Sequence, residues 1–360
     1  MSHIAQLNVS FVRNVIGQSL TFSPSVNLLY GENGSGKTSL LEAIHLLATG
    51  RSFRNSKIDL IINHESDEAV IFAELGDGSK IGMSKPRRQN HQLHLQSEKQ
   101  RNWDQVAKLL PVQILDSASF GLIEGGPKAR RRYLDWGVFH VEQTFLANWR
   151  VTRKCLANRN FLLKQKPVDK NQISAWDVEL VNASNLVDLA RQTYFKQLVP
   201  QFDGVYRALG GSHVENIGIE YERGWDSDRE LSSVFADNFR NDARYGFTQN
   251  GPHRADIFIK AGKSKAVDIL SRGQQKILVS ALKIAQGRLL SQSTERQTIY
   301  LVDDLPAELD SENRAAVMNN LIDLGGQIFI TCVDRTAMEE SLKSCPQLAT
   351  FHVERGIITT

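Results

Sequence analysis

Cysteine is scarce in this 360-residue chain. Cys155, Cys332 and Cys345 are odd in number and far apart, and no Cys-x-x-Cys pair occurs. That argues against a disulfide framework and a four-cysteine zinc site, and makes a reducing cytoplasm the expected compartment. No run approaches the roughly 18 consecutive apolar residues of a spanning helix, so no membrane segment is expected. Met1-Ser2-His3-Ile4-Ala5-Gln6 has no basic region followed by an apolar stretch, so no signal peptide is expected either. Charge of one sign is not in large excess: 43 Lys and Arg stand against 40 Asp and Glu, a net +3. That balance permits an acidic partner such as nucleic acid without demanding one. Internal repeats and low-complexity tracts are absent. What is present is ordinary globular composition, 41% hydrophobic and 23% charged, which excludes wholesale disorder. The length suggests about two domains.

Periodicity divides the chain into three stretches. Ile4 to Val12, Val26 to Tyr30 and Ala69 to Leu75 read as strands, and Thr38 to Ala48 reads as a helix with Leu40, Leu41, Ile44 and Leu47 on one face. Ser79 to Trp103 is polar and basic and reads as strands and exposed loops. The middle is helical. Val141, Phe145, Trp149, Thr152, Leu156 and Leu163 share a face, and Trp176, Leu180, Ala183, Val187, Ala190, Tyr194 and Leu198 recur at heptad-like spacing. A polar connection beginning at Lys166-Pro167 makes these runs an antiparallel helical hairpin, a stubby arm whose stripe is core. Cys155 lies on that stripe as a buried thiol. The last stretch alternates again: strand Gln297 to Val302, helix Arg314 to Leu324, strand Gln327 to Thr331. The economical reading is one discontinuous α/β domain, residues 1–125 and 246–360, with a mainly helical insert at 126–245.

Three segments carry chemistry. Gly31-Glu32-Asn33-Gly34-Ser35-Gly36-Lys37-Thr38 fits Gly-x-x-x-x-Gly-Lys-Thr between a predicted strand and a predicted helix. Such a loop points its N–H groups at a phosphate, aided by the helix N-terminus. Lys37 is then placed for the β- and γ-phosphates and the Thr38 hydroxyl for Mg²⁺. The bland alternative is a glycine-rich turn that binds nothing. Ile299-Tyr300-Leu301-Val302-Asp303-Asp304 is an apolar strand ending in two carboxylates. Asp303 is the candidate Mg²⁺ ligand and Asp304 the candidate for polarising the attacking water, against the alternative of a solvated strand end. Leu270-Ser271-Arg272-Gly273-Gln274-Gln275 precedes an amphipathic helix. It resembles the Leu-Ser-Gly-Gly-Gln signature of ABC-type ATPases, with Arg272 in place of the first glycine, and Ser271 is equally a plausible N-cap. The order phosphate loop, signature, acidic strand favours the signature. In that class the signature completes the nucleotide site of a second protomer, which implies an ATP-dependent homodimer. The interval from Lys37 to Ser271 is far longer than in transporter ATPases, and the cysteine hook of long coiled-coil repair ATPases is missing.

Further segments resemble one family. Arg13-Asn14, Gly50-Arg51-Ser52-Phe53-Arg54, Gly125-Gly126-Pro127-Lys128-Ala129-Arg130-Arg131-Arg132-Tyr133-Leu134-Asp135, Gly251-Pro252-His253-Arg254-Ala255-Asp256 and Asp303-Asp304 with Glu308-Leu309-Asp310 are similar to elements of the RecF family. The resemblance runs from about residue 11 to 314. It implies an α/β, ABC-type P-loop ATPase head with a β-rich N-terminal lobe and an inserted helical arm. It implies ATP and Mg²⁺, a weak DNA-stimulated ATPase acting as a switch, and binding to double-stranded DNA and to gapped or single-stranded junctions. It also implies action with RecO and RecR to load RecA in recombinational gap repair. Two positions depart from the pattern. Leu115-Asp116 stands where the family has Pro-Glu or Pro-Asp. Thr331-Cys332 stands where transporter ATPases carry a switch histidine.

Other residues carry two readings each. Arg13 is a candidate nucleotide contact. Gln113 is a candidate Mg²⁺-sensing glutamine or an inward amide of a strand. Arg130, Arg131 and Arg132 could meet DNA phosphate, though three in a row on a helix cannot face one groove; a brace to a carboxylate such as Asp135 is the other reading. The basic stretch 79–103 could track a DNA backbone or be a solvated face. His253-Arg254 could reach the nucleotide or a dimer seam, or Gly251-Pro252 could simply shape a turn. The rivals in function are a transporter-type ATPase subunit, a small-molecule kinase or other non-DNA P-loop ATPase, and an adaptor that binds ATP without turnover.

Overall fold

The structure is a computed structural model that describes residues 3–211, 217–345 and 347–360. The chain divides into two units. The first comprises Met1–Ser119, Gly204–Gly211 and Lys276–Thr360, and the second Phe120–Asp203 and Ser212–Gln275.

The first unit contains two six-stranded sheets. One is mostly parallel, in spatial order Ile357–Thr359, Leu348–Glu354, Val26–Tyr30, Ile328–Cys332, Ile299–Val302, Val112–Leu115; only the terminal hairpin is antiparallel. All five residues of Ile328–Cys332 and all four of Ile299–Val302 are buried, as strands covered on both faces must be. The other sheet is antiparallel, ordered Val15–Thr21, Ile4–Val12, Glu68–Leu75, Lys80–Pro86, Gln92–Leu95, Glu98–Gln100. Its strands bury alternate residues such as Ala69, Ile71, Ala73 and Leu75. One core joins both sheets to the helix Lys37–Thr49, with Phe22 set edge-on to Phe329 and Phe351. A buried polar clasp also joins the sheets: the Gln327 amide accepts from the Ile4 N–H at 2.8 Å and donates to the Ile4 carbonyl at 2.9 Å.

The second unit holds helices Pro127–Val141, Phe145–Leu163 and Leu231–Tyr245, most of the helix Lys170–Ala208, and the three-stranded sheet Ser264–Lys265, Asp256–Ala261, Ile217–Glu222. The expected hairpin is present. Cys155 faces Glu179 and Arg159 faces Asp177, so the residue numbers rise on one helix as they fall on the other, which is antiparallel packing. Cys155 is fully buried, and burial pushes its thiol up to about 11. Residues 246–275, assigned above to the α/β domain, cluster with the helical unit instead. The reason is pairing: Asp256–Ala261 is antiparallel to Ile217–Glu222, which anchors that stretch to the insert.

Candidate nucleotide site

The parallel sheet assembles the site by ending three strands side by side. Tyr30, Cys332 and Val302 close adjacent strands, and the segments that follow are the phosphate loop, Val333-Asp334 and Asp303-Asp304. A crevice beyond the carboxyl ends of such strands is where α/β sheets bind ligands. Here the crevice is an open cleft of about 790 Å³ walled by Asn33, Gly34, Gly36, Lys37, Thr38, Asp303, Asp304 and Thr331, among others.

The loop's course depends on glycine at two places in particular. Gly31 has φ 149°, and a Cβ there would lie 2.2 Å from the Val353 carbonyl oxygen. Gly36, at φ 121°, turns directly into the helix Lys37–Thr49. Lys37 is 7% exposed, and its ammonium donates to the carbonyls of Gly31 at 2.6 Å and Glu32 at 2.8 Å. Burial lowers its pKa, while Asp304, Cys332 and Asp303 oppose that. The Thr38 hydroxyl donates to Asp303 Oδ1 at 2.9 Å, and the Thr331 hydroxyl donates to the same oxygen at 2.7 Å. Thr331 Oγ1 accepts in turn from the Asp304 N–H at 2.8 Å. Asp304 sits in the left-handed region at φ 52°, a conformation that aspartate tolerates better than most residues. Burial, then the neighbouring Asp303, raise its carboxyl pKa.

These residues suit a nucleotide and a hard cation. Ser35 Oγ is buried without a hydrogen-bond partner beside the loop's N–H groups. One hydroxyl and one carboxylate at 2.9 Å are oxygen donors of the kind Mg²⁺ takes when phosphates and water complete its shell. No cluster of three His, Cys, Asp or Glu side chains exists among the described residues, and a Mg²⁺–nucleotide site needs none.

The other sequence candidates are placed differently. Arg13 lines the cleft, but its guanidinium is held bidentately by Glu42 at 2.9 Å and by the Leu60 carbonyl at 2.7 Å, so it braces the wall. Gln113 is not in the cleft wall; its amide donates to Gln286 at 2.9 Å in the interior, the inward-amide reading. Ser271 and Gln274 form a reciprocal capping box at the start of the helix Arg272–Ser293. The Ser271 N–H donates to the Gln274 side chain at 2.8 Å, and the Gln274 N–H donates to Ser271 Oγ at 3.3 Å. Ser271, Arg272 and Gly273 are exposed, and Arg272 pairs with Glu124.

Much of the basic sequence proves structural. Arg130 pairs bidentately with Asp256 and donates to the Gly125 carbonyl; Arg131 donates to the Ala255 carbonyl. Asp135, the brace expected for this run, pairs with Arg191 instead, and Arg132 is exposed. Lys85 is buried against Asp59, and Arg87 donates to the carbonyls of Asn63 and Ser66. His253 approaches the Thr248 carbonyl at 3.0 Å, and burial depresses its pKa to about 4. Asn14, in sequence no more than part of a motif, ties the loop to its helix, donating to the Gly34 carbonyl at 3.1 Å and accepting from Ser39 at 2.9 Å. Glu42, the partner of Arg13, carried no signal beyond being a charge on the apolar face of a helix.

Comparison with known proteins agrees with this architecture. Residues 3–359 match the RecF/RecN/SMC N terminal domain family. The DNA replication and repair protein RecF of Pseudomonas syringae pv. syringae is 44% identical over 360 residues, covering 99% of this chain and 98% of the relative. Its counterpart from Pseudomonas fluorescens Pf-5 is 45% identical over 361 residues, with the same coverage. A solved structure of the recombination mediator protein RecF with ATP, from the RecFOR pathway, superposes with TM-score 0.84 at 24% identity, covering 99% of this chain and 97% of that one. An Smc head domain from Pyrococcus furiosus superposes with TM-score 0.60 at 15% identity, covering 100% and 96%. At those identities the likenesses to solved structures establish the fold.

Proposed function

The chain belongs to the RecF family of DNA replication and repair proteins, and from that premise we propose that it is an ATP-gated, DNA-binding clamp that dimerises on ATP and acts with RecO and RecR to bring RecA to gapped DNA. The observation that carries the nucleotide half of this reading is the convergence of Thr38 and Thr331 on one oxygen of Asp303 beside Lys37. The DNA half rests on family membership, with double-stranded DNA and single-stranded junctions as the substrates in view.

Gly31 to Thr38 bind the triphosphate through loop N–H groups. Lys37 exchanges its two carbonyl partners for phosphate oxygens, and its burial strengthens that attraction. Thr38 and Asp303 are the residues that would hold Mg²⁺, which when bound supplies positive charge against the phosphates. Asp304 orients water. Its raised pKa makes it a better proton acceptor than an ordinary aspartate, but its short arm and the absence of a switch histidine make turnover slow, so hydrolysis times release of the dimer. Ser271 to Gln274, the first three of them exposed at a helix start, offer hydroxyl and N–H groups to the phosphate of a second protomer.

Light scattering with ATP and Mg²⁺ against ADP and Mg²⁺ tests this: a dimer is expected with ATP only. Ser271→Asp keeps an efficient N-cap yet sets a carboxylate against phosphate. It should leave thermal stability unchanged and abolish the ATP-dependent dimer. A Ser271→Asp protein that dimerises normally would mean that Leu270 to Gln275 is a helix cap and nothing more.

A further inference from the structure

The end of the helical unit where Phe145–Leu163 and Leu231–Tyr245 terminate carries aromatic surface that its own core does not use. Phe161, Tyr245 and Phe247 are 64%, 57% and 39% exposed. Single exposed hydrophobics are ordinary, but these are gathered at one place. Asn160 accepts from both the N–H and the hydroxyl of Thr248, and the Lys164 side chain lies against Gly246. Phe161 is three residues before Lys164, so those two side chains are neighbours on the helix surface. The rings of Tyr245 and Phe247 are 6.2 Å apart between centroids.

Cations surround these rings. Lys164 and Lys166 are exposed, the Arg244 guanidinium lies 5.7 Å from the Tyr245 ring, and that of Arg254 lies 5.5 Å from the Phe247 ring. Asp177 and Asp242 are tied to Arg159, and against the exposed Asp169 stand the four cations Lys164, Lys166, Arg244 and Arg254. The patch is therefore positive and ringed with accessible π faces.

We propose that this patch binds single-stranded DNA, with Phe161 and Tyr245 stacking on unpaired bases and Lys164 and Arg244 meeting the phosphates. A duplex hides its base faces and offers only phosphate, which lysine and arginine would meet without aromatic help. Exposed rings interleaved with cations are the arrangement that reads unpaired bases irrespective of sequence. This rests on the DNA-binding reading above and adds to it a place and a strand preference: this patch of the helical unit takes the unpaired side of a junction.

The test uses the full chain with ATP and Mg²⁺ and two labelled probes, an oligothymidylate and a blunt duplex, followed by fluorescence anisotropy. Phe161→Ala combined with Tyr245→Ala should weaken oligothymidylate binding about thirtyfold or more and leave duplex binding within about twofold, since each stacked base is lost separately. Phe161→Trp should retain binding, and its added emission over wild type should be quenched by oligothymidylate and not by duplex. Lys164→Gln should flatten the salt dependence of oligothymidylate binding by about 0.7 in log–log slope, the loss of one phosphate contact. Unchanged oligothymidylate affinity in the double variant, or an equal fall on both probes, overturns the proposal; the first result would leave the rings to a protein partner. Wild-type protein that binds neither probe would instead overturn the DNA-binding reading itself.

Discussion

Replacing Arg159 by methionine should unfasten the helical unit. Arg159 has no exposed surface, yet it carries a full charge. Its Nε donates to Asp177 at 2.6 Å, its Nη1 to Asp242 at 2.7 Å and to Thr248 at 2.8 Å, and its guanidinium lies 4.6 Å from the Phe235 ring. Four segments thus meet on one side chain: the helices Phe145–Leu163, Lys170–Ala208 and Leu231–Tyr245, and the turn at Thr248. Methionine fills comparable space but strands Asp242, which is 1% exposed, without its cation. Breaking one side of a buried pair costs about 3–5 kcal/mol, most of it the uncompensated charge. Adding Asp242→Asn removes that charge, so the double variant should recover about half the loss, about 1.5–2.5 kcal/mol, and the coupling between the two sites exceeds that recovery by the cost of Asp242→Asn alone. Urea unfolding followed by tryptophan fluorescence reads this unit, because Trp176 and Trp225 pack in its core cluster with Cys155, Leu180 and Phe235. Salt should hardly change the difference, since buried pairs are poorly screened. A loss below about 1 kcal/mol for Arg159→Met, or strictly additive single and double variants, would refute the argument that this ion cluster holds the helices together.

Two further outcomes follow from the geometry. Gly31→Ala sets a methyl group against the Val353 carbonyl at a backbone angle that alanine resists, so calorimetric titration should find ATP binding lost while the far-ultraviolet circular dichroism is kept. His253 holds its proton in the folded chain only below about 4, whereas the unfolded imidazole holds it to about 6.5. Between those values the unfolded state binds the extra proton, so this contribution to stability is intact above pH 6.5 and drains away as the pH falls toward 4; the urea midpoint of His253→Gln should vary less over that range than that of wild type.

The phosphate loop, the acidic strand and the order of segments were legible because their chemistry is local. Gly31 to Thr38 is a contiguous run whose backbone makes the site, and Asp303 ends a strand whose burial is written in four apolar residues. The helical hairpin was legible for a similar reason, since a heptad stripe declares which face is covered. The fate of the charged residues was not. Arg130, Arg131, Lys85 and Arg87 look like a nucleic-acid surface in sequence, and each is spent on a carboxylate or a carbonyl supplied from far along the chain. The unit boundary was misplaced because the short sheet pairs residues 217–222 with 256–261, although Ile217-Gly218-Ile219-Glu220-Tyr221-Glu222 does alternate and could have signalled a strand.

By itself, then, the sequence determined which residues can touch a phosphate, because a glycine-rich turn and a lysine at a helix start act through contiguous backbone. Only the tertiary structure decided that Thr331 would share an oxygen of Asp303 with Thr38, that Gln113 would turn inward to Gln286, and that Asn160 would hold the turn at Thr248. Each of those depends on which distant segment burial brings alongside, and pairing of that kind is set by the packing of whole faces.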